Sequence, residues 1–148
     1  MLKKISSTKK SYIAGFLDGD GSIYVRLKPN LTYKYGFQVA PYITLFQSQK
    51  EEASFRKICS LINLGRIRKR NDGMLEYVIN KQNDIYKFLK IIEPYVIMKK
   101  KQVALIFKIL EKKKCVRSQK EFNELAMLID KFRELNYSKK RKKCKLTP

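Results

Sequence analysis

The sequence predicts an α+β protein in which antiparallel β-hairpins alternate with amphipathic helices. Aliphatic and polar residues alternate in two segments, and each segment contains a turn signal between its predicted strands. Apolar residues repeat at helical spacing in the segments between and after them. With 148 residues and 44% hydrophobic content, the chain is long enough to bury its own core. We therefore expect one domain over residues 1–137 and a basic, mobile tail over residues 138–148.

The first predicted hairpin pairs residues 22–28 with residues 36–47. In both strands aliphatic side chains alternate with polar or aromatic ones, which predicts an inner and an outer face. Pro29-Asn30 begins the connection between the strands. Pro41 has no amide donor, so it predicts an edge or a bulge at its position.

The second predicted hairpin joins residues 66–70 to residues 75–80 through the turn Asn71-Asp72-Gly73. Arginine occupies every second position of its first strand. At ~3.3 Å per residue the three arginines span about 13 Å, which suits successive phosphates or base edges. A solvated outer face would explain one basic hairpin, whereas basic outer faces on both hairpins favour a nucleic-acid surface.

The remaining segments carry apolar stripes at helical spacing and predict core helices without chemistry of their own. Ser118-x-x-Glu121 is a capping box, which predicts a last helix that includes Phe122 to Phe132. The other helices of this kind are predicted over residues 50–64, 83–92 and 95–112, and residues 9–17 are also compatible with a helix.

The charge balance restricts the partner and the chemistry. The chain has 34 Lys+Arg against 13 Asp+Glu, a formal charge of +21, and no histidine. Histidine-dependent catalysis and histidine-ligated zinc are therefore excluded. Three cysteines, Cys59, Cys115 and Cys144, are odd in number and far apart, which disfavours a disulfide framework or a four-cysteine zinc site. Such a charge favours a polyanion, with nucleic acid the first candidate and an anionic membrane surface the second.

The positive charge is unevenly distributed along the chain. No acidic residue occurs between Asp20 and Glu51, where typical sequence mixes both signs. An AT-rich genome would enrich lysine but would not arrange it in this way. No stretch approaches the ~20 apolar residues of a membrane span, and residues 1–7 lack an apolar signal core, so we do not expect secretion.

Residues 12–21 combine small residues with two carboxylates at the end of a predicted helix. Gly15 and Gly19 lie four positions apart beside Ala14 and form a helix side without bulk, against which a second helix backbone could approach closely. Asp18 and Asp20 lie at the negative end of the helix dipole, where carboxylates are disfavoured and a bound divalent cation would relieve the conflict. Either aspartate could instead be a turn residue.

The nine residues from Ile13 to Gly21 resemble the LAGLIDADG motif of homing endonucleases. They are most similar to the single-motif, homodimeric class encoded in organellar group I introns. The predicted order of elements up to Glu111 follows that family's αββαββα core, and C-terminal helices are appended to it. The resemblance therefore implies a saddle-shaped antiparallel sheet.

The resemblance also implies roles for residues of the motif. The second acid of the family's motif coordinates the catalytic metals, which here points to Asp20, with the Gly19 carbonyl as an additional ligand. Asp18 matches the first acid, which is structural in relatives. The contact between two copies would involve Ala14, Gly15, Asp18 and Gly19.

Outside the motif, the resemblance implies two more active-site residues. Gln47 matches a glutamine that orders active-site water, with Gln49 as a rival on the same strand face. Lys99 matches a lysine that lines the active site, with Lys101 as second choice. A basic residue that relatives carry after the glutamine is replaced by Glu51 or Glu52, which leaves part of the water network in question.

The function implied is site-specific cleavage of both strands of a long pseudo-palindromic DNA site, with short 3′ overhangs. Mg²⁺ would be the cofactor, and Mn²⁺ or Ca²⁺ could replace it for binding. Each metal pair would activate water, so that no histidine base is needed. The alternatives are an RNA-binding intron maturase and a non-catalytic DNA-binding protein.

Each sheet would lie in the major groove of one half-site, and the whole site would cover roughly 20 bp. Expression within an organelle is expected, in a chloroplast rather than a mitochondrion, with an archaeal or bacterial cytoplasm left open. The candidate DNA-binding residues are Tyr24, Arg26, Lys28, Asn30, Tyr33, Gln38, Tyr42, Thr44, Arg68, Arg70, Glu76 and Asn80.

Overall fold

The elements follow the order helix, two strands, helix, two strands and three helices, in a computed structural model that describes residues 4–136. This confirms the predicted α+β class. The tail predicted for residues 138–148 lies outside the described residues. The helices are α1 (Ser7–Asp20), α2 (Glu52–Ile62), α3 (Gln82–Ile92), α4 (Lys100–Cys115) and α5 (Gln119–Glu134). The strands are β1 (Gly21–Pro29), β2 (Phe37–Ser48), β3 (Arg66–Lys69) and β4 (Met74–Ile79).

The four strands form one antiparallel sheet in the order β1-β2-β4-β3. The two predicted hairpins are joined through β2 and β4, whose register runs from Ile43 opposite Ile79 to Ser48 opposite Met74. Pro41 lies beyond the last residue of β2 that pairs with β4, so its missing amide removes no bond from that ladder.

Both hairpins turn at glycines with a positive φ angle, a conformation that side chains disfavour. In the β1–β2 connection the Asn30 amide donates to the Gly36 carbonyl at 2.8 Å, and Gly36 has φ 79°. In the β3–β4 turn the Arg70 amide donates to the Met74 carbonyl at 2.8 Å, and Gly73 has φ 82°.

The described chain divides into two compact units. The first comprises residues 4–23 and 42–100. Its core contains fully buried residues of α1 and α3, including Leu17, Phe88 and Ile92. The prediction of a single domain over residues 1–137 stays a prediction.

The second unit comprises residues 24–41 and 101–136. Phe122 of α5 stacks on Tyr35 and Phe37, with ring centroids 5.2 and 6.2 Å apart. Lys113 of α4 donates from Nζ to the Val39 carbonyl at 3.3 Å, and its burial lowers the pKa of that ammonium group.

Helix ends differ from the predictions where capping or distant contacts decide them. α1 begins at Ser7 because the Ser6 hydroxyl caps it, accepting from the Lys9 amide at 3.3 Å. The predicted helix over 95–112 begins at Lys100, since Pro94 lies in a short 3-10 helix and Val96 is extended. The N-cap half of the capping box is confirmed at Ser118, whose hydroxyl accepts from the Glu121 amide at 3.1 Å. The Glu121 carboxylate accepts from the Arg117 amide at 2.6 Å instead of the Ser118 amide.

Within residues 4–136, the helices are too short or too polar to cross a membrane. Of the cysteines in that range, Cys59 is buried and Cys115 is exposed, and both are free thiols. Burial raises the pKa of the Cys59 thiol to about 12, so this side chain is a core residue without reactivity near neutral pH.

Candidate active site and nucleic-acid interface

The C-terminal end of α1 presents its two carboxylates to opposite sides. Two residues correspond to a rotation of about 200° around a helix axis. Asp18 accordingly faces the chain and is 8% exposed, whereas Asp20 faces solvent. The alternation of acid and glycine in this segment therefore separates two different roles.

The Asp18 carboxylate accepts three backbone hydrogen bonds from the segment that precedes α4. Oδ2 accepts from the amides of Ile97 and Met98 at 2.8 and 3.0 Å, and Oδ1 accepts from the amide of Lys99 at 3.1 Å. These three donors offset the unfavourable interaction of the Asp18 carboxylate with the helix dipole. The sequence had suggested a bound cation for this role. The structural role implied for Asp18 fits this geometry.

The Asp20 carboxylate has no hydrogen-bond or ion-pair partner among residues 4–136. The neighbouring Gly19 belongs to the last turn of α1, where backbone carbonyls have no partner within the helix. A carboxylate and a carbonyl oxygen are the ligands that a hard divalent cation prefers. Over residues 4–136, no group of three or more His, Cys, Asp or Glu side chains could hold a metal ion.

Lys99 also contacts the end of α1. Its Nζ donates to the backbone carbonyl of Asp18 at 3.1 Å, which holds an ammonium group at the helix end that carries Asp20. Lys101, the second choice, is an exposed residue within α4. The contact made by Lys99 supports the first choice.

Gln47 is the second-last residue of β2 and is half-buried. Because β1 and β2 are consecutive antiparallel strands, the last residues of β2 lie at the same end of the sheet as the first residues of β1. β1 begins directly after Asp20. The Gln47 Oε1 accepts from the Ser48 amide at 2.8 Å, which leaves its amide nitrogen directed elsewhere.

Gln49 is not on the strand face with Gln47, contrary to the prediction. It begins a 3-10 helix after β2 ends at Ser48. Its Nε2 donates to the Arg70 carbonyl at 3.0 Å, and its backbone amide donates to the Gly73 carbonyl at 2.9 Å. Gln49 therefore holds the β3–β4 turn and is not a strong candidate for the active site.

The acidic residues that follow differ in their contacts. Glu51 is exposed. The Glu52 carboxylate forms ion pairs with Arg56 Nη2 at 2.7 Å and with Lys69 Nζ at 3.2 Å. Hydrogen bonds first from Arg56 and then from Lys69 lower the pKa of the Glu52 carboxyl. Glu52 links α2 to β3.

The predicted DNA-binding side chains of the β1–β2 hairpin differ in exposure: two are exposed, five are half-buried and one is buried. The Arg26 guanidinium is exposed and lies 5.3 Å from the ring centroid of Tyr24, an arrangement typical of a cation–π contact. The Asn30 Oδ1 accepts from the amide and the hydroxyl of Thr32, at 3.0 and 2.7 Å, so it holds the loop. Tyr33 is 44% exposed. The half-buried candidates are Tyr24, Lys28, Asn30, Gln38 and Tyr42.

Thr44 is buried, contrary to its predicted place on an exposed face. It is 2% exposed, opposite Val78 in the sheet. β2 lies between β1 and β4, so a short side chain on this strand is covered by larger neighbours on both sides. A side chain in this position is not available at the surface of the chain.

The β3–β4 hairpin presents arginines that are paired with carboxylates. Glu76, predicted to contact DNA, is 8% exposed and lies opposite Arg68 in the strand register. The Glu76 carboxylate accepts hydrogen bonds from Arg68 Nε at 2.9 Å and from Arg70 Nη1 at 3.2 Å. Arg70 Nη2 also donates to Asp72 Oδ2 at 2.6 Å. Asn80 is exposed just after β4. Alternation predicted the arginines but not their partners; the acids at 72 and 76 in the hairpin register were the available signal.

Of the four residues predicted for the contact between copies, two are exposed. Among residues 4–136, a Cβ atom added at Gly15 or Gly19 would meet nothing within 4 Å. Ala14 is fully buried, and Asp18 is nearly so. At Gly15 and Gly19 the exposed side of α1 is therefore open, unbulky backbone.

The fold and the end of α1 define a class of nuclease, and comparison with known proteins identifies it. The LAGLIDADG endonuclease family matches residues 13–111, which begin at the motif and end within α4. The chain belongs to this family, as the motif indicated.

Two algal proteins are similar over most of the chain. The DNA endonuclease I-CreI of Chlamydomonas reinhardtii is 33% identical over 132 residues, which cover 88% of this chain and 80% of that protein. The DNA endonuclease I-CvuI of Chlorella vulgaris is 32% identical over 133 residues, which cover 90% of this chain and 83% of that protein.

Solved structures agree with the fold. The homing endonuclease I-CvuI, bound to the I-CreI target with 2 mM Mg and with its DNA not cleaved, matches with a TM-score of 0.83 at 31% identity over 91% of this chain and 86% of that one. I-CvuI was also crystallised with its own target in the presence of 2 mM Ca. The archaeal intron-encoded endonuclease I-Vdi141I, at 22% identity, covers 94% of this chain and 90% of its own with a TM-score of 0.79, and supports the fold alone.

Proposed function

We propose that the protein is a homing endonuclease that hydrolyses both strands of a specific, long DNA site with the aid of divalent metal ions. The observation that carries this proposal is the contrast between two carboxylates of one helix. Asp18 is satisfied by three amides, whereas Asp20 is exposed and without a partner in residues 4–136, beside the lysine that the family resemblance selects. A cation bound by Asp20 would offset the unfavourable position of this carboxylate at the helix C-terminus.

The residues fit a metal-assisted hydrolysis. The Asp20 carboxylate and the Gly19 carbonyl would hold Mg²⁺, or Mn²⁺ or Ca²⁺ for binding. When bound, the ion would supply Lewis-acid activation of water and stabilise the leaving 3′ oxygen. The Lys99 ammonium would oppose negative charge that develops on the phosphate, and the free amide of Gln47 would orient water.

One motif supplies one Asp20, so a complete site needs two copies. We propose a homodimer in which the Gly15 and Gly19 surfaces of two α1 helices meet and bring both Asp20 residues to the centre of the DNA site. Each half would then cut one strand and leave short 3′ overhangs.

Recognition would use the outer face of the sheet in the major groove. Its exposed members are Arg26, Tyr33, Arg68, Arg70 and Asn80. Affinity should fall steeply with salt, because phosphate contacts release counterions. Two half-sites one helical turn apart would give a pseudo-palindromic target of roughly 20 bp.

The related endonucleases come from green algae. We propose that this chain is likewise encoded in a group I intron of an organelle, a chloroplast by preference, and that cleavage serves intron homing.

The test is cleavage of a supercoiled plasmid that carries the intron-insertion sequence, with and without Mg²⁺. We expect linear product with Mg²⁺, none without it and none from Asp20→Asn. The control Asp130→Asn removes a carboxylate of α5 that lies 4.0 Å from Arg133, far from the motif in sequence, and should cleave as the parent does. Intron RNA binding without linear product would instead establish a maturase, and DNA binding without it a non-catalytic DNA-binding protein.

A further inference from the structure

The β3–β4 hairpin contains a network of two arginines and two carboxylates that the proposed catalysis does not use. Its centre is Glu76, which is 8% exposed. The Glu76 Oε2 accepts from Arg68 Nε at 2.9 Å and also from Arg68 Nη2, while Oε1 accepts from Arg70 Nη1 at 3.2 Å. Both carboxylate oxygens are therefore engaged, and the low exposure of Glu76 leaves little of its surface to accept a bond from cytosine.

Arg70 is restrained by a second carboxylate, which is itself held in place. Its Nη2 donates to Asp72 Oδ2 at 2.6 Å. The Asp72 Oδ1 accepts from the Met74 amide at 3.2 Å, which ties this carboxylate to the turn. The Arg70 carbonyl accepts from Gln49 Nε2 at 3.0 Å, so backbone and side chain are both restrained.

The two arginines keep different donors for a ligand. A guanidinium has five N–H donors, and recognition of guanine uses two of them side by side. Arg68 donates to Glu76 from its Nε–Nη2 edge. The edge formed by its two terminal nitrogens remains available to a ligand, and the side chain is 69% exposed. Both terminal nitrogens of Arg70 are in contact with carboxylates, and its side chain is 41% exposed.

We propose that Glu76 and Asp72 are specificity-determining residues that hold the guanidinium groups of Arg68 and Arg70 in a fixed orientation toward DNA without touching a base. This inference rests on the proposed DNA recognition by the sheet. Fixed guanidinium groups lose less entropy on binding and accept fewer geometries, so they discriminate between bases. The same carboxylates neutralise positive charge and reduce the attraction to any phosphate backbone.

The network therefore has a signature that separates specificity from affinity. Removing one carboxylate adds one positive charge to the surface and frees one or two arginines. Binding to random DNA should become tighter, while discrimination between target sequences should become weaker. A carboxylate that merely supports the fold would not change these two quantities in opposite directions.

The chain offers a matched control on the same strand. Lys69 lies between the two arginines and pairs with Glu52 at 3.2 Å. Glu52→Gln adds the same charge as Glu76→Gln or Asp72→Asn but leaves the carboxylates of Arg68 and Arg70 in place. Asp72 lies in an exposed turn, so we expect Asp72→Asn to fold as the parent does. This variant tests the inference even if loss of the buried Glu76 carboxylate disturbs folding.

The experiment selects duplexes from a randomised pool with the full-length chain and measures base preference at each position, together with the affinity for random DNA at one salt concentration. We expect all three variants to bind random DNA more tightly. We expect only Glu76→Gln and Asp72→Asn to lose base preference, by about tenfold over a few adjacent base pairs.

Two results would overturn the inference while the proposed function stands: a base preference unchanged in both network variants, or an equal loss in Glu52→Gln. Loss confined to one base pair in Glu76→Gln alone would show that Glu76 reads a base directly. If the parent selects no sequence at all, the recognition proposal and this inference are both wrong.

Discussion

The two sides of α1 differ in what covers them. On one side Ile13, Leu17 and Asp18 pack against the rest of their compact unit, and the carboxylate is satisfied by amides from the segment before α4. On the other side Gly15 and Gly19 leave open space, and Asp20 points to solvent. One side of α1 is therefore packed and hydrogen-bonded within the chain, and the other side is open to solvent.

This difference shows where a second molecule is needed. Glycine within a helix costs about 1 kcal/mol relative to alanine. The described chain gains nothing from the two glycines, because nothing approaches the space that they leave. The buried side explains why the helix forms here, and only the exposed side calls for a partner or a metal.

Asp20→Asn should have the largest effect on function and almost none on stability. We expect the cleavage rate with Mg²⁺ to fall at least about a hundredfold, the cost of removing a group that stabilises transition-state charge. The free energy of unfolding should change by less than about 1 kcal/mol, because the side chain is exposed and lies at the unfavourable end of the dipole. Single-turnover cleavage and urea denaturation measure the two quantities.

A parallel experiment with Mg²⁺ omitted is the control for this variant. Parent and variant should then be equally inactive, since both lack the ion. Cleavage by the Asp20→Asn variant at the parental rate with Mg²⁺ would show that Asp20 has no role in cleavage.

Asp18→Ala should have the next largest effect, and its effect should be on stability. Truncation leaves the amides of Ile97, Met98 and Lys99 without their acceptor in a partly buried site. We expect a loss of about 2–4 kcal/mol in the free energy of unfolding, measured by urea denaturation. Asp18→Asn keeps one carbonyl oxygen and should lose less than Asp18→Ala. A loss below about 0.5 kcal/mol for Asp18→Ala would show that water replaces the carboxylate readily.

The sequence predicted those parts of the molecule that local patterns decide. Period-2 alternation located both hairpins, and apolar stripes located the four helices after α1, because each repeat reflects burial of one face. It did not predict that Asp18 would accept from amides about eighty residues later, or that α4 would start only at Lys100. Burial of Thr44 depends on the strands on both sides of β2, which alternation within one strand does not contain.

The candidate site was predictable to a similar extent. The motif gave Asp20, and the family resemblance gave Lys99, which the structure brings to the end of α1. The choice between Gln47 and Gln49 needed the structure, because it depends on where β2 ends. The pairing of Glu76 with two arginines also needed the register between β3 and β4.

Gly15→Ala should have the smallest effect, and its sign distinguishes the two sides of α1. A methyl group at Gly15 meets nothing within 4 Å, so the isolated chain should gain up to about 1 kcal/mol from helix propensity. Gly21→Ala is the matched control, since its methyl group would lie 2.7 Å from Leu17 atoms and should destabilise the fold. Self-association of Gly15→Ala, measured by sedimentation equilibrium, should be weaker than that of the parent because the added methyl group separates the two helices. Unchanged self-association would show that copies of the chain do not meet through this side of α1.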